Sequence, residues 1–381
     1  MHDNDVTEVD QADEAPRQLA RKLGLNRRQF FAASMGVGAA VALTPGVASA
    51  AGQAKAAVSG ELVIPRGKRG IILYTVRDAI SRDPATSPYA SGFKAVFEEL
   101  SRIGYKQIEF AGFRQSVNAP GGDVNSVEGA KLLRTWLDAN GLKAQGNHGS
   151  IPSTITPETL TAFDTFCEVA NILGMKHIGT GSDPTSSDQK ADWDAAADRW
   201  NFLGRRAQRN GLRLYTHNHD AAYGFLKDSG PLDEAGKYTA SSGIRRLEYF
   251  LQRTDPRYVF LEMDIFWAHV AKFKHVAYTA ADGSMVEDLF DPLAVVQAQP
   301  KRFPLFHAKD GDSRPDLPNG WEMTPFGLGD IDYRTFLSST GGPSGYHNPM
   351  WEQDTAPSTE NPAQSLQLAE LSYDMMATLR K

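Results

Sequence analysis

Eight short apolar or β-branched runs punctuate the chain from residue 70 onward, and the segments between them carry helical spacing. The runs are 70–76 (GIILYTV), 106–111 (KQIEFA), 143–148 (KAQGNH), 176–180 (KHIGT), 212–218 (LRLYTHN), 258–265 (YVFLEMDI), 303–308 (FPLFHA) and 349–353 (PMWEQ). Such alternation is the signature of repeated strand–helix units around a parallel sheet. Intervening stretches at 92–103, 128–139, 157–173 and 192–210 place apolar residues at helical intervals, and 366–379 closes the chain. Thr156 before Pro157 reads as an N-cap ahead of a first-turn proline. No glycine-rich dinucleotide fingerprint follows the first run, which removes the main reason to prefer a doubly wound sheet. The expected fold is therefore a (β/α)8 TIM barrel over residues 69–381.

Alternate residues of a strand point to one face, so each run can be asked which neighbours share a side. Tyr215, His217 and His219 fall together, as do Glu262, Asp264 and Phe266. Leu305, His307 and Lys309 share a face, and so do Met350, Glu352 and Asp354. At the C-terminal rim of a barrel, His217, Asp264, His307 and Glu352 would then converge as one ligand from each of four strands. Two imidazoles and two carboxylates suit a divalent ion such as Mn, Co, Zn, Fe or Mg rather than Ca, which takes oxygen ligands. His219 is the alternative to His217 as ligand, or a group that hydrogen-bonds the substrate. Glu109, His148 and Lys309 lie at strand ends facing the same mouth. Glu109 is a candidate base or substrate contact and His148 a general acid or base. Lys309 would either stabilise an enolate oxygen or pair with Glu262 or another rim acid. Trp267 is placed to stack on a substrate face or to pack conventionally. Tyr74, at the end of the first run, is a candidate substrate contact.

Three stretches exceed an ordinary connection, 220–240, 268–290 and 311–330, and each follows a run bearing a proposed ligand. Their aromatics, Tyr223, Phe225, Tyr238, Phe273, Tyr278 and Trp321, suggest a lid over the site.

Ahead of the barrel, Asn26-Arg27-Arg28-Gln29-Phe30-Phe31 pairs two arginines with aromatics, and a glycine- and alanine-rich apolar run leads to Ala48-Ser49-Ala50. The pattern reads as a twin-arginine export signal spanning residues 1–50, followed by a flexible lead-in at 51–68, which makes the mature protein periplasmic or secreted. The apolar run is too short and too weakly hydrophobic for the roughly 20 residues of a stable membrane span. Composition is that of a globular protein, 41% hydrophobic and 23% charged, with a formal net charge of −6. That balance gives no reason to expect nucleic acid as a partner. Residues 1–50 hold nearly as many bases as acids, so the mature part is acidic too. The single cysteine, Cys167, sits in an apolar helical run and reads as a buried, inert thiol.

Taken in order, these segments resemble the xylose isomerase-like TIM-barrel superfamily, in particular its sugar phosphate isomerase/epimerase group. Leu73-Tyr74-Thr75-Val76-Arg77-Asp78 looks like that group's first-strand signature, and Ile108-Glu109-Phe110-Ala111-Gly112 like its second. Tyr215-Thr216-His217-Asn218-His219-Asp220 is similar to the fifth-strand pattern. Phe306-His307-Ala308-Lys309-Asp310 and Trp351-Glu352-Gln353-Asp354 resemble strands seven and eight, joined by a segment like Phe326-Gly327-Leu328-Gly329-Asp330. The resemblance implies a divalent ion held by Glu, Asp, His and Glu from strands five to eight, with the two glutamates as an acid/base pair around a sugar. Here His217 stands at the first glutamate position, which puts two-base epimerisation in doubt. The expectation is a metal-dependent enzyme that abstracts a proton next to a carbonyl of a small carbohydrate, in the manner of an isomerase or epimerase. Two alternatives stand beside it: a lyase that cleaves 3-keto glycosides by one-base β-elimination, and a non-catalytic sugar-binding barrel that keeps the ion for structure. Endonuclease relatives use a larger ligand set and a basic DNA-binding surface, which the acidic balance opposes. A small carbohydrate is the expected partner, and self-association into a homo-oligomer is left open.

Overall fold

The computed structural model describes residues 60–340 and 347–381, so the expected export signal lies outside the described residues. At its centre eight parallel strands form one sheet: β1 (Gly70–Ile72), β2 (Gln107–Phe110), β3 (Lys143–Asn147), β4 (His177–Thr180), β5 (Arg213–His217), β6 (Val259–Asp264), β7 (Leu305–His307) and β8 (Asn348–Trp351). Their spatial order is β3–β2–β1–β8–β7–β6–β5–β4. Between β3 and β4 the wall is closed by a single bridge, His148 to Gly179, and by the Gly149 amide donating to the Gly179 carbonyl at 2.8 Å. The result is the (β/α)8 barrel the alternation predicts, with helices between the strands.

Local chemistry explains the helices that frame it. Gly92–Ile103 buries Phe93, Val96, Phe97 and Leu100, an i, i+3, i+4, i+7 stripe, and ends at Gly104 with φ 121°. Ser126 caps Val127–Ala139 by accepting from the Gly129 amide. Thr156 and Thr159 form a reciprocal capping box ahead of Pro157–Ile172, as the Thr-Pro signal predicts. Cys167, on that helix, is buried, and burial pushes its thiol up to about 12, which keeps it from acting as a thiolate.

Inside the barrel, glycines make room for large neighbours. A Cβ on Gly70 would sit 2.3 Å from Met350 Sδ, and one on Gly179 would sit 2.7 Å from the Tyr215 ring. Tyr215, Phe260, Leu305 and Met350 fill this interior as an apolar plug. Above the plug, toward the C-terminal ends of the strands, the side chains become polar.

Several elements differ from the expectation. β1 stops at Ile72 because Leu73–Val76 turns into a 3-10 helix. Residues 61–64, expected to be loose, are tied to the chain's end: Val63 N donates to Leu379 O at 3.1 Å, Lys381 N donates to Glu61 O at 2.9 Å, and Ile64 is buried in the core. Helices Arg246–Arg253, Ile265–Lys274, Pro292–Ala298 and Tyr333–Thr340 were not singled out by periodicity, being short or apolar on all sides. The three long insertions hold two-stranded hairpins, Ser229–Leu232 with Tyr238–Ala240, Ala277–Thr279 with Met285–Glu287, and Asp310–Ser313 with Trp321–Thr324. Their aromatics do not act together as a lid. Tyr223 is buried against Phe290 and Phe225 lies against Tyr278, whereas Trp321 meets Trp267 near the barrel mouth. Among the described residues no helix is long and apolar enough to cross a membrane.

One buried carboxylate anchors the segment that closes over the β7 end. Asp310 accepts the amides of Gly311 (2.8 Å), Gly327 (2.8 Å) and Gly329 (3.1 Å), and a Cβ on Gly329 would run into its Oδ1. Asp310→Ala leaves these amides without their acceptor. The expected loss is about 3 kcal/mol of stability, read as a lower denaturant midpoint at unchanged slope; a variant as stable as the parent would show that water replaces the carboxylate.

Candidate functional site

The polar mouth is assembled by register. His307 on β7 pairs with Asp264 on β6, and Glu262 on β6 pairs with His217 on β5; the inward side chains gather in two groups that share His307, an upper one of His217, Asp264, His307 and Glu352 and a lower one of Glu109, His148, Glu262 and His307. Glu352 follows β8 directly. In the upper layer, His217, Asp264, His307 and Glu352 are all buried, and each offers a ligand atom within 4.8 Å of the others. His219 does not join this group; its ring sits 5.1 Å from that of His217 and 5.5 Å from Trp267, and its backbone amide donates to Asp183 Oδ1.

Side-chain orientation in the quartet is set from outside it. Asp264 caps the helix Ile265–Lys274, Oδ1 accepting from the Trp267 amide at 3.0 Å, which turns Oδ2 toward His217 Nε2 at 3.2 Å. His307 Nε2 lies 3.1 Å from Glu109 Oε2 and 3.2 Å from Glu262 Oε2, so its proton belongs on Nε2 and Nδ1 faces upward. Nδ1 is 2.6 Å from Glu352 Oε2; burial disfavours the ring's charge, but Glu262 and Glu352 hold His307 well above the usual histidine value, so without an ion it pairs with Glu352 as a cation. Metal binding displaces such a proton, and two imidazoles and two carboxylates converging on one position then fit a divalent ion of the Mn, Co, Zn, Fe or Mg kind.

Lys309 is the surprise of the upper layer. Its buried ammonium lies 3.0 Å from Asp264 Oδ2, 2.9 Å from Glu352 Oε2 and 3.3 Å from Asp354 Oδ1. Burial disfavours its charge, but Asp264, Glu352 and Asp354 more than offset this and hold it above the ordinary lysine value. Lys309 therefore pairs with rim acids, as one reading of the sequence expects, but not with Glu262. Glu262 lies instead in the lower layer, with His148 Nε2 at 2.9 Å and His307 at 3.2 Å. Despite burial, which pushes the other way, His307 and His148 keep Glu262 below the usual carboxylate range.

Glu109, expected at the mouth, is fully buried in that lower layer. It accepts from the Tyr215 hydroxyl and holds His307, and burial together with the charge of Glu262 raises its carboxyl above the ordinary range. Gly146 leaves the space for this contact, since a Cβ there would meet Glu109 Oε1 at 3.0 Å and the Tyr215 hydroxyl at 3.1 Å. His148 bridges the layers, its ring 5.0 Å from His307 and 5.3 Å from His217. His217 is held well below the usual histidine value by burial, then by the neighbouring His307 and Lys309, and is therefore a neutral ring with a lone pair to offer.

Toward solvent, Trp267 is nearly buried, with Lys309 Nζ 5.6 Å from its ring and Trp321 edge-on at 4.9 Å. Tyr74 is 41% exposed under the Arg77 guanidinium, which also donates to the Asp354 carbonyl at 2.9 Å and so joins the β1 and β8 ends. The sequence reading gave no site role to Glu262, Tyr215 or Asp354. The signal was available, because each lies two residues from a proposed ligand on the same strand face.

Residues 97–352 match the family model of the xylose isomerase-like TIM barrel. No curated protein matches the chain in sequence. Among solved structures, a sugar phosphate isomerase/epimerase from Parabacteroides distasonis is similar at 20% identity and a TM-score of 0.56, covering 86% of this chain and 97% of that one. A probable 3-DHS dehydratase involved in petrobactin synthesis from Bacillus anthracis is similar at 12% identity and a TM-score of 0.52, covering 82% of this chain and 99% of that one. D-psicose 3-epimerase with D-tagatose from Clostridium cellulolyticum gives 14% identity and a TM-score of 0.50, over 82% of this chain and 99% of that one. With a match across more than half of its length on the same eight-stranded architecture, the chain belongs to the xylose isomerase-like TIM barrel family.

Proposed function

We propose that the chain is a divalent-metal-dependent enzyme that acts on a small carbohydrate by removing a proton next to a carbonyl. The observation that carries this reading is the buried convergence of His217, Asp264, His307 and Glu352, with His307 Nδ1 and Glu352 Oε2 facing one position. These four residues would hold the ion, which when bound supplies Lewis-acid polarisation of a carbonyl and its neighbouring hydroxyl. The structural neighbours named isomerase, epimerase and dehydratase support a sugar-type substrate.

The chain's own groups divide the remaining work. Glu352 is the base, and the Lys309 ammonium at 2.9 Å keeps its carboxylate ionised. Lys309 also stands where it can donate to an oxygen that gains charge as the proton leaves. Glu109 positions His307 from below rather than meeting substrate, and Tyr215 positions Glu109. His148, partly exposed and bonded to Glu262, is the proton carrier between the buried layer and the mouth. Trp267 and His219 line the entrance on the β5–β6 side, and Tyr74 does so on the β1 side.

One observation favours a second reading. β5 offers the imidazole of His217 where two-base exchange would use a carboxylate, so Glu352 and Lys309 form a one-base, one-acid pair on a single side. That pair suits β-elimination from a 3-keto glycoside, in which Glu352 takes the proton beside the ketone and the leaving oxygen receives one from an acid. With the signal read at residues 1–50, the enzyme works outside the cytoplasm, in the periplasm or secreted, where free sugars and glycosides are commoner substrates than sugar phosphates.

Metal analysis separates the two histidines: His217→Ala is expected to purify with less than a tenth of the parent's bound divalent metal and His219→Ala with nearly all of it, and the reverse result would move the ligand to His219. Incubation of free ketoses and 3-keto glycosides in deuterated water tests the chemistry. Deuterium should enter beside the carbonyl, or an unsaturated product should form, and Glu352→Gln should slow either by 10²-fold or more, on the order of the usual general-base contribution. Metal-loaded protein that neither exchanges nor cleaves any of them is a binding barrel instead. For export, conversion of Arg27 and Arg28 to lysine should leave the protein in the cytoplasmic fraction; unchanged export would sink the twin-arginine reading.

A further inference from the structure

The opposite end of the barrel, where the strands begin, carries a concentration of positive charge that the catalytic reading leaves unused. Lys143 and Arg213 are the first residues of β3 and β5, Lys176 immediately precedes β4, and all three are exposed. Lys68, half-buried, reaches Asn348 at the start of β8, its Nζ donating to Oδ1 at 2.9 Å. These four cations come together through the sheet. Arg213 pairs with His177 in the ladder, and its guanidinium lies 5.2 Å from the Phe260 ring, part of the apolar plug. Lys143 pairs with Gln107, which in turn pairs with Gly70, two residues beyond Lys68.

Among the described residues none of the four has a carboxylate within salt-bridge reach, and the acids at this end are engaged elsewhere: Asp255 with Arg257 at 2.6 Å, Glu61 with Lys381 at 2.8 Å. Burial and then the charge of Lys176 hold Lys68 below the ordinary lysine value. His177 sits beneath them, almost fully buried, its Nδ1 donating to the Gln145 carbonyl at 3.0 Å and its Nε2 without a partner. Burial, and after it Arg213 and Lys176, bring His177 down to about 4. A group of like charges with no counter-charge is held at a cost that a bound anion removes.

We infer that the N-terminal pole of the barrel binds a phosphate-class oxyanion through Lys68, Lys143, Lys176 and Arg213. The guanidinium and three ammonium groups match the several acceptor oxygens of a phosphate, which a single-charge, single-oxygen ligand would not satisfy. The site lies at the other end of the barrel from the metal-type quartet, so it stands or falls independently of the proposed activity.

The test is the full chain titrated with pyrophosphate at ionic strength held constant with potassium chloride. Melting temperature should rise with pyrophosphate concentration, as for any ligand that binds only the folded state, and calorimetry should show a saturable isotherm. Lys143→Gln with Lys176→Gln, both on exposed residues, should weaken binding about tenfold or more through the loss of two charge-assisted contacts; Arg213→Gln is an independent second variant. Vesicles of phosphatidylglycerol, in a parallel sedimentation assay, identify the source of the phosphate: co-sedimentation lost in the double variant assigns a lipid headgroup, and pyrophosphate binding without it assigns a soluble phosphate ester. The inference is overturned if neither probe binds, or if both variants bind as tightly as the parent.

Discussion

The imidazole of His307 is the point at which the two polar layers of the barrel meet. Its Nε2 is shared between Glu109 at 3.1 Å and Glu262 at 3.2 Å, which keeps a proton on that nitrogen and turns Nδ1 toward Glu352. The ring serves both acids, and a carboxylate buried with no compensating donor is driven to neutrality. Glu109 is further tied to Tyr215 and Glu262 to His148, so strands β2, β3, β5, β6 and β7 all bear on one ring. Loss of that ring would take a donor from two buried acids at once.

Such a network needs space that an ordinary barrel interior does not have. Here the space comes from glycine: Gly146 opens a gap for Glu109 and the Tyr215 hydroxyl, and Gly179 accepts the Tyr215 ring. The apolar plug of Tyr215, Phe260, Leu305 and Met350 then separates the acidic mouth from the strand starts. Because Tyr215 belongs to the plug and also bonds Glu109, packing below sets hydrogen-bond geometry above. Rigid support of this kind is what holds a site to the tolerances that proton transfer requires.

Strand periodicity made the quartet legible, because a period of two turns each short run into a statement about which residues share a face. His217, Asp264, His307 and Glu352 were found in that way, and their strand ends were located to within a few residues. The same rule put Glu262 beside Asp264 and Asp354 beside Glu352, but alternation says nothing about depth along the barrel axis. Depth depends on the stagger between strands, which is why Glu109 was expected at the mouth and lies a layer beneath it. The choice of partner for Lys309 was likewise invisible, since its reach to Asp264 and Glu352 comes from the β6–β7–β8 register. Tertiary pairing also decided the lead-in: nothing in 61–64 marks it as ordered until Leu379 and Lys381 are beside it. The hairpins in the long insertions were hidden for a similar reason, since each strand of two to four pairs is too short to show a period of its own.

A net charge of −6 describes the sum of the charges and not their arrangement. In this barrel the acids Glu109, Glu262, Asp264 and Glu352 gather at the C-terminal side of the apolar plug, while Lys68, Lys143, Lys176 and Arg213 stand on the other side of it. The plug of Tyr215, Phe260, Leu305 and Met350 stands between the two sets and holds them apart. Arguing from the total, the chain has no reason to attract an anion; arguing from position, one pole of it does. The separation has a structural logic as well. A cation placed at a strand start can keep its charge in solvent while its stem covers the plug, as Arg213 does over Phe260, whereas an acid in the mouth must be matched by His307 or Lys309. Each pole is therefore specified by what its charges can reach, and the apolar layer between them lets one fold carry both.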